Sequence, residues 1–318
     1  MEAASTSAVR AAPNAQEVFG AAPRRIGEKI IRVLLFLAAL VSILITVGIV
    51  FSLVGETLAF FQSDAVKLSQ FFTGSEWSPL FSDPEFGIRP LVQGTLIISG
   101  IGMLVAVPLG LGTAVYLSEY ASPRVRGLVK PTLELLAGVP TVVFGYFALT
   151  FFTPKILNDV LHLDVSVFNG LAGGIIVGIM IIPTVASVAE DSMASVPQSL
   201  REGAFGLGAS KRQVSTRVVF PAALSGIVAS IVLGASRAVG ETMIVLIAAG
   251  QVPTTSLDPR QPMETMTAFI GATGKGDVPT GSTGYKAIFA VGFTLFVMTL
   301  IINAIAIRFV RKYRQVYE

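Results

Sequence analysis

Two charged residues stand inside a long apolar run and are the first candidates for chemistry. Residues 222–249 are interrupted by charge only at Arg237 and Glu241. Holding such a charge at mid-membrane costs about 2.5–3.5 kcal/mol, so each needs a partner or an aqueous path. Counted along one helix from Ala222, Arg237 lies roughly 22 Å in, close to the middle of a bilayer. At i and i+4 the two side chains share a helix face, which makes Glu241 a counter-ion for Arg237. A guanidinium also presents a planar fork of donors that matches oxyanion geometry, phosphate included. The pattern leaves two readings open: an anion that competes with Glu241 for Arg237, or a static pair that locks helices together. Thr242 beside the pair, and Thr141 in another apolar run, offer hydroxyls for further contacts.

Other chemistry is largely excluded. The chain has no cysteine and a single histidine, His162, which removes disulfides, thiolate catalysis and any histidine-built metal site. A phosphate-binding loop of the Walker type needs G-x-x-x-x-G-K-[ST]. The nearest stretch, around Gly274 and Lys275, has Phe269 at the first glycine position and Gly276 where the hydroxyl should be. No cofactor is therefore expected on this chain, and it is not expected to be an enzyme.

The elements that must position Arg237 and Glu241 follow from composition. Of 318 residues, 53% are apolar and 14% charged, against about 25% charged in soluble domains. A helical membrane protein remains, because alternating strand-like segments are scarce. Six runs reach the roughly 20 residues that a span needs: 33–55, 90–118, 135–154, 165–189, 222–249 and 287–307. The net charge of +3 is too small, and its basic residues too scattered between apolar blocks, for nucleic-acid binding. Sixteen Lys and Arg fall before the first run, in the even-to-odd loops and after the last, against six in the opposite loops. That bias puts both termini in the cytoplasm, with the spans among membrane lipids. Residues 1–29, with their Ala, Ser and Pro, are expected to be a disordered cytoplasmic tail, and residues 30–318 the transmembrane domain. Pro108, Pro140 and Pro183 interrupt spans and kink them. Gly170, Gly174 and Gly178 form a ladder of small residues for close helix packing, within the chain or between subunits. Glu134, Glu190 and Asp191 fall at membrane edges, where solvated carboxylates are expected.

One cytoplasmic loop, residues 195–221, is polar yet helical in pattern. Leu200, Ala204 and Leu207, then Val214 and Val218, recur near the helical period, with a break at Gly206 and Gly208. Two short helices joined by a turn are predicted. Glu202, Gly203, Ala204, Gly208, Val218, Phe220 and Pro221 keep the spacing of the EAA loop of ABC importer permeases. Gly203, Val218 and Phe220 depart in identity but keep size or polarity. This segment resembles the coupling helix that such permeases dock in a cleft of their ATPase.

Further stretches resemble the phosphate-specific (Pst) importer permeases. They are residues 134–145, reading ELLAGVPTVVFG, and residues 236–243, reading SRAVGETM. Residues 72–79 with Trp77, followed by Gly94, Thr95 and Leu96, are similar to the PstC type rather than its PstA sister. The resemblance implies an all-α, six-span MetI-like permease fold and an ATP-driven phosphate importer. It further implies a second permease of PstA type, two PstB-type ATPases carrying ATP and Mg, and an extracytoplasmic PstS-type phosphate-binding protein. Glu202, Gly203, Ala204, Gly208, Val218 and Pro221 would then couple to the ATPase, and Arg237, Glu241, Thr242 and Thr141 would lie on the substrate pathway. A permease for another oxyanion or small solute shares the loop. An ion-coupled secondary transporter is a third reading, which would use intramembrane carboxylates such as Glu241.

Overall fold

The computed structural model describes residues 26–313 apart from Ala65 and Asp277. Among these residues the fold is all-helical, with one isolated bridge between Trp77 and Phe86. Four helices are long and apolar enough to cross a membrane alone, and six spans result if each of two bent pairs counts as one.

α1 (Ile26–Phe61) divides between two compact units, with the boundary at Ser52. In the first unit, apolar residues such as Leu35, Phe36 and Phe51 are exposed, as suits a helix bathed in lipid. The tail expected over residues 1–29 lies outside the described residues as far as position 25. Residues 26–29 already form the first turn of α1, where Glu28 faces the positive end of the helix dipole.

The second unit, from Leu53, is built around α6 (Gly170–Ala194), the most buried of the long helices. It packs along α3 (Arg89–Val115), which continues in a wider, π-type turn over Tyr116–Tyr120. The glycine ladder explains the close approach. A β-carbon on Gly174 would stand 2.7 Å from Cβ of Ile101, and one on Gly178 would stand 2.7 Å from the carbonyl oxygen of Gly102. The ladder is thus spent on an internal contact, one of the two uses open to it in the sequence. Around it Ile98, Ala106, Ile176, Val177, Met180 and Ile181 form the central apolar core. A second, aromatic core joins Phe60, Phe71, Trp77, Phe86 and Phe269, with α2 (Leu68–Thr73) contributing Phe71. A third gathers around Met193, Val196, Val214, Val219 and Ile227, at the loop expected in the cytoplasm.

Two spans differ from the apolar runs that announced them. The third is broken by an 88° bend between α4 (Pro123–Ala137) and the helix that opens as α5 (Thr141–Phe147) and continues to Val160 with π-type winding. Residues 135–137 therefore belong to α4, on the other side of the bend from the rest of the apolar run. Pro140 stands just before the first turn of α5 rather than inside a helix, where its fixed φ starts a helix at no cost in hydrogen bonds. Pro108 and Pro183 do lie inside helices.

The fifth span is not one helix either. α9 (Leu224–Val239) ends at Gly240, and α10 (Met243–Ala248) begins three residues later. The segment after α10, expected as an outer loop, returns inward as α11 (Met266–Thr273), with Met266, Thr267, Ala268 and Phe269 buried. α12 (Thr283–Tyr313) completes the fold.

Candidate functional site

The break in the fifth span is held by hydrogen bonds, and these decide what Glu241 does. Its Oε1 accepts from the backbone N–H of Met243, at 3.0 Å, and of Ile244, at 3.1 Å. Glu241 thereby satisfies two of the orphan donors at the start of α10 and places a negative charge at the positive end of the dipole. Its own carbonyl accepts from Thr267 Oγ1 of α11, at 2.6 Å. Thr242 closes the turn by donating to the Gly240 carbonyl, at 3.3 Å.

Arg237 is left without this carboxylate. No ion pair to Arg237 occurs among the described residues, and its Nε donates to Met180 Sδ, at 3.1 Å. The expected i, i+4 pair fails because the helix ends between the two residues, so they do not share one face, and because the backbone claims the carboxylate. Arg237 is exposed, on a face of α9 with Ala229 and Leu233 at i−8 and i−4. From the start of α9 it lies about 20 Å along the helix. A permanent cation at this depth, open to its surroundings and without a counter-ion, is the feature of the membrane region that packing does not explain.

Thr141 opens α5, which packs against α10 where a β-carbon on Gly145 would meet Ile244 and Ile247 at 3.1–3.2 Å. The two interrupted spans therefore meet just beyond their breaks. No hydrogen bond joins Thr141 to Arg237, Glu241 or Thr242 among the described residues, so proximity of the elements is all that links Thr141 to the group.

In the loop expected on the cytoplasmic side, residues 198–222 form the two predicted helices. α7 (Gln198–Gly206) closes with a Schellman motif: Ala209 N–H donates to the Ala204 carbonyl, at 3.1 Å, and Gly208 N–H to that of Phe205, at 2.9 Å. Gly208 takes φ = 81°, the left-handed region, which a β-carbon penalises. Ser210 and Gln213 then form a capping box at the start of α8 (Lys211–Val214), which runs on to Ala222 and turns by 71° into α9.

The EAA-type positions divide by exposure. Glu202 and Gly203 are exposed, and a β-carbon on Gly203 would meet nothing within 4 Å among the described residues. Ala204 and Val218 instead pack toward the cytoplasmic core, and Pro221 is exposed at the bend into α9. Leu207, expected on the packed face with Leu200 and Ala204, is 91% exposed at the tip of the loop. The Schellman turn ends the helical period before that residue and swings its side chain outward.

Two buried charge networks support this loop. Arg201 donates to Glu119 at 3.1 Å, to the Met193 carbonyl at 2.8 Å and to the Val196 carbonyl. Glu190, placed by sequence among solvated carboxylates, is only 1% exposed and is held by Arg126 and, at 2.8 Å, by Lys130. Desolvation of the carboxylate on α6 is offset by two cations that α4 brings over it. Asp191 and Glu190 in turn hold the Lys130 ammonium above the ordinary lysine range. Glu134 and Asp191 are exposed, as expected.

An all-helical chain with interrupted spans, a mid-span cation and a two-helix cytoplasmic loop defines a class, the membrane-embedded subunit of a transporter. Residues 106–315 match the family described as "Binding-protein-dependent transport system inner membrane component", and the chain belongs to that family. The probable ABC transporter permease protein YqgH of Bacillus subtilis is 32% identical over 92% of this chain and 94% of its own length. The phosphate transport system permease protein PstC of Mesorhizobium japonicum is 32% identical over 85% of this chain and 86% of its own. PstC 1 of Mycobacterium tuberculosis is 34% identical over 78% of this chain and 84% of its own. Among solved structures, a bacterial ABC transporter for the acidic polysaccharide alginate superposes with a TM-score of 0.63 at 18% identity, over 92% of this chain and all of that one. An inward-facing MetNI methionine transporter gives 0.55 at 18% identity, over 72% and 95%. These structures speak for the MetI-like fold alone. The chain is an integral membrane ABC permease, a transport subunit rather than an enzyme, and its family implies an ATPase and a substrate-binding protein as partners.

Proposed function

We propose that this chain is the PstC-type subunit of an ATP-driven inorganic phosphate importer in a bacterial inner membrane, with Arg237 on the phosphate path. The exposed, unpaired guanidinium within the fifth span carries the reading. Phosphate supplies the charge and the paired oxygens that a bare guanidinium lacks. A second permease of PstA type would face the exposed side of α9, so that Arg237 lines a path between two subunits. Thr242 and Thr141 are the nearest candidates for neutral hydrogen bonds on that path, and Glu241 shapes it by fixing the break. Phosphate would arrive from a PstS-type binding protein. The test is reconstitution: the chain, co-expressed with PstA- and PstB-type subunits and supplied with loaded binding protein, should take up phosphate in proteoliposomes when ATP is present. Uptake of a different solute under the same conditions, with none of phosphate, would overturn the assignment.

The coupling surface is the exposed tip of residues 202–208, docking on one of two PstB-type ATPases that hold ATP and Mg. Glu202 and Gly203 offer an open edge, and Leu207 an exposed apolar knob. Leu207→Asp is expected to leave the chain in the membrane and weaken ATPase association by about 1.4–2.8 kcal/mol, roughly 10- to 100-fold. Co-purification with the ATPase reads this, and retention at the wild-type level would refute the role. Both termini are assigned to the cytoplasm. Because the chain has no cysteine, Ser75→Cys and Gly127→Cys give clean labelling sites, and an impermeant maleimide added to intact spheroplasts should reach only the first.

A further inference from the structure

Outside the spans, the two outer segments enclose a cavity of about 560 Å³ that none of the roles above employs. Its walls are mostly apolar and include Trp77, Pro79, Phe81, Pro253 and Phe269. Glu264 is the one titratable side chain among the described residues that line it. It is 6% exposed, and its carboxyl makes no hydrogen bond or ion pair among the described residues. Burial alone pushes this group up to about 7.

We infer that the cavity is a socket for a basic side chain, arginine or lysine, presented by the extracytoplasmic binding protein when it docks. The inference rests on the importer reading above. A carboxylate without a partner at the bottom of an apolar site is costly unless a cation reaches it. Aromatic walls favour the same ligand, since guanidinium and ammonium groups are attracted to the faces of Trp and Phe. Phosphate itself is disfavoured, because no cation among the described residues lines the cavity and Glu264 would repel it. At the rim Leu80 and Phe81 are exposed, Phe81 by 75%, so a ring of apolar contacts surrounds one buried charge. That arrangement, a desolvated polar centre inside a water-excluding rim, is how binding energy concentrates at protein interfaces. The socket lies on the side of the membrane from which a binding protein must approach.

The deciding measurement is the affinity of the purified binding protein for the complete transporter in nanodiscs, at pH 6 and pH 8. Glu264→Gln copies the shape of the neutral carboxyl, which burial already favours, so the variant is expected to assemble. At pH 8, where the wild-type carboxyl is ionised, it should bind at least tenfold more weakly. At pH 6, where the wild-type group is largely protonated, the gap should close to about twofold. Glu264→Lys should abolish binding at both. Equal affinity of wild type and Glu264→Gln at pH 8 would overturn the socket. So would a deficit that appears only in discs containing phosphatidylethanolamine, since the cation would then be a lipid amine. Wild-type transporter that binds no phosphate-binding protein at any concentration would instead overturn the importer reading.

Discussion

Arg237→Gln should reduce phosphate uptake by about a hundredfold or more without removing the chain from its complex. The variant keeps a polar side chain of similar reach but loses the charge and the two-pronged donor. Hydrogen bonds to charged groups contribute about 1.5–3 kcal/mol each, and two lost together correspond to two or more decades at about 1.4 kcal/mol per decade. Arg237→Lys separates charge from geometry: an ammonium attracts phosphate but cannot hold it bidentately, so an intermediate loss of roughly tenfold is expected. Glu241→Gln should do much less than either. Its amide oxygen can still accept from Met243 and Ile244, so the break in the span survives and only the interaction of charge with the α10 dipole, about 1 kcal/mol, is lost. A locking pair between Arg237 and Glu241 makes the opposite forecast, with either single change harming assembly and the double neutral variant restoring it. Labelled phosphate uptake alongside complex yield distinguishes them. Wild-type uptake by Arg237→Gln would eliminate Arg237 from the path.

How far the sequence announces this arrangement depends on whether a feature is local. The spans at α1, α3, α6 and α12 are continuous apolar helices and read directly. The turn at Gly206 and Gly208 reads equally well, because a left-handed C-terminal residue is a demand on one position. The breaks at 138–140 and 240–242 are harder, since apolar residues continue on both sides and hydropathy does not register a bend. For the third span, Gly138 followed by Pro140 is the local signal that was available. In the fifth, Glu241 and Thr242 after Gly240 could have been read as the start of a new helix, a carboxylate before an apolar run. Reading them on one unbroken helix produced the pair that the structure separates. Glu190 and Glu264 were illegible for another reason. Burial of a carboxylate depends on which distant elements cover it, and one is met by α4 cations while the other is met by none.

The partners of Arg201 were equally hidden, 82 positions apart in the case of Glu119, and Arg201→Ala should be the most destabilising cytoplasmic change. Both members of the pair are nearly dry, with side chains 12% and 7% exposed. Removing one charge of such a pair strands the other and typically costs about 3–5 kcal/mol. The Val196 carbonyl, just past the end of α6, loses its donor as well, and the Met193 carbonyl keeps only its backbone donors. One side chain therefore holds together the π-type turn that ends α3, the end of α6 and the start of the coupling loop. With it gone, α7 has only the contacts of Leu200 and Ala204 with the cytoplasmic core. The expected result is a sharp drop in complex yield and in the thermal midpoint in detergent. Arg201→Lys should fall between, because a compact ammonium lacks the planar fork with which the guanidinium reaches Glu119 and both carbonyls at once. Glu119→Leu combined with Arg201→Met removes both charges and should recover most of the stability lost in Arg201→Ala, as apolar replacements of buried pairs commonly do. An Arg201→Ala protein that purifies and melts like wild type would show that the pair does not hold these elements together.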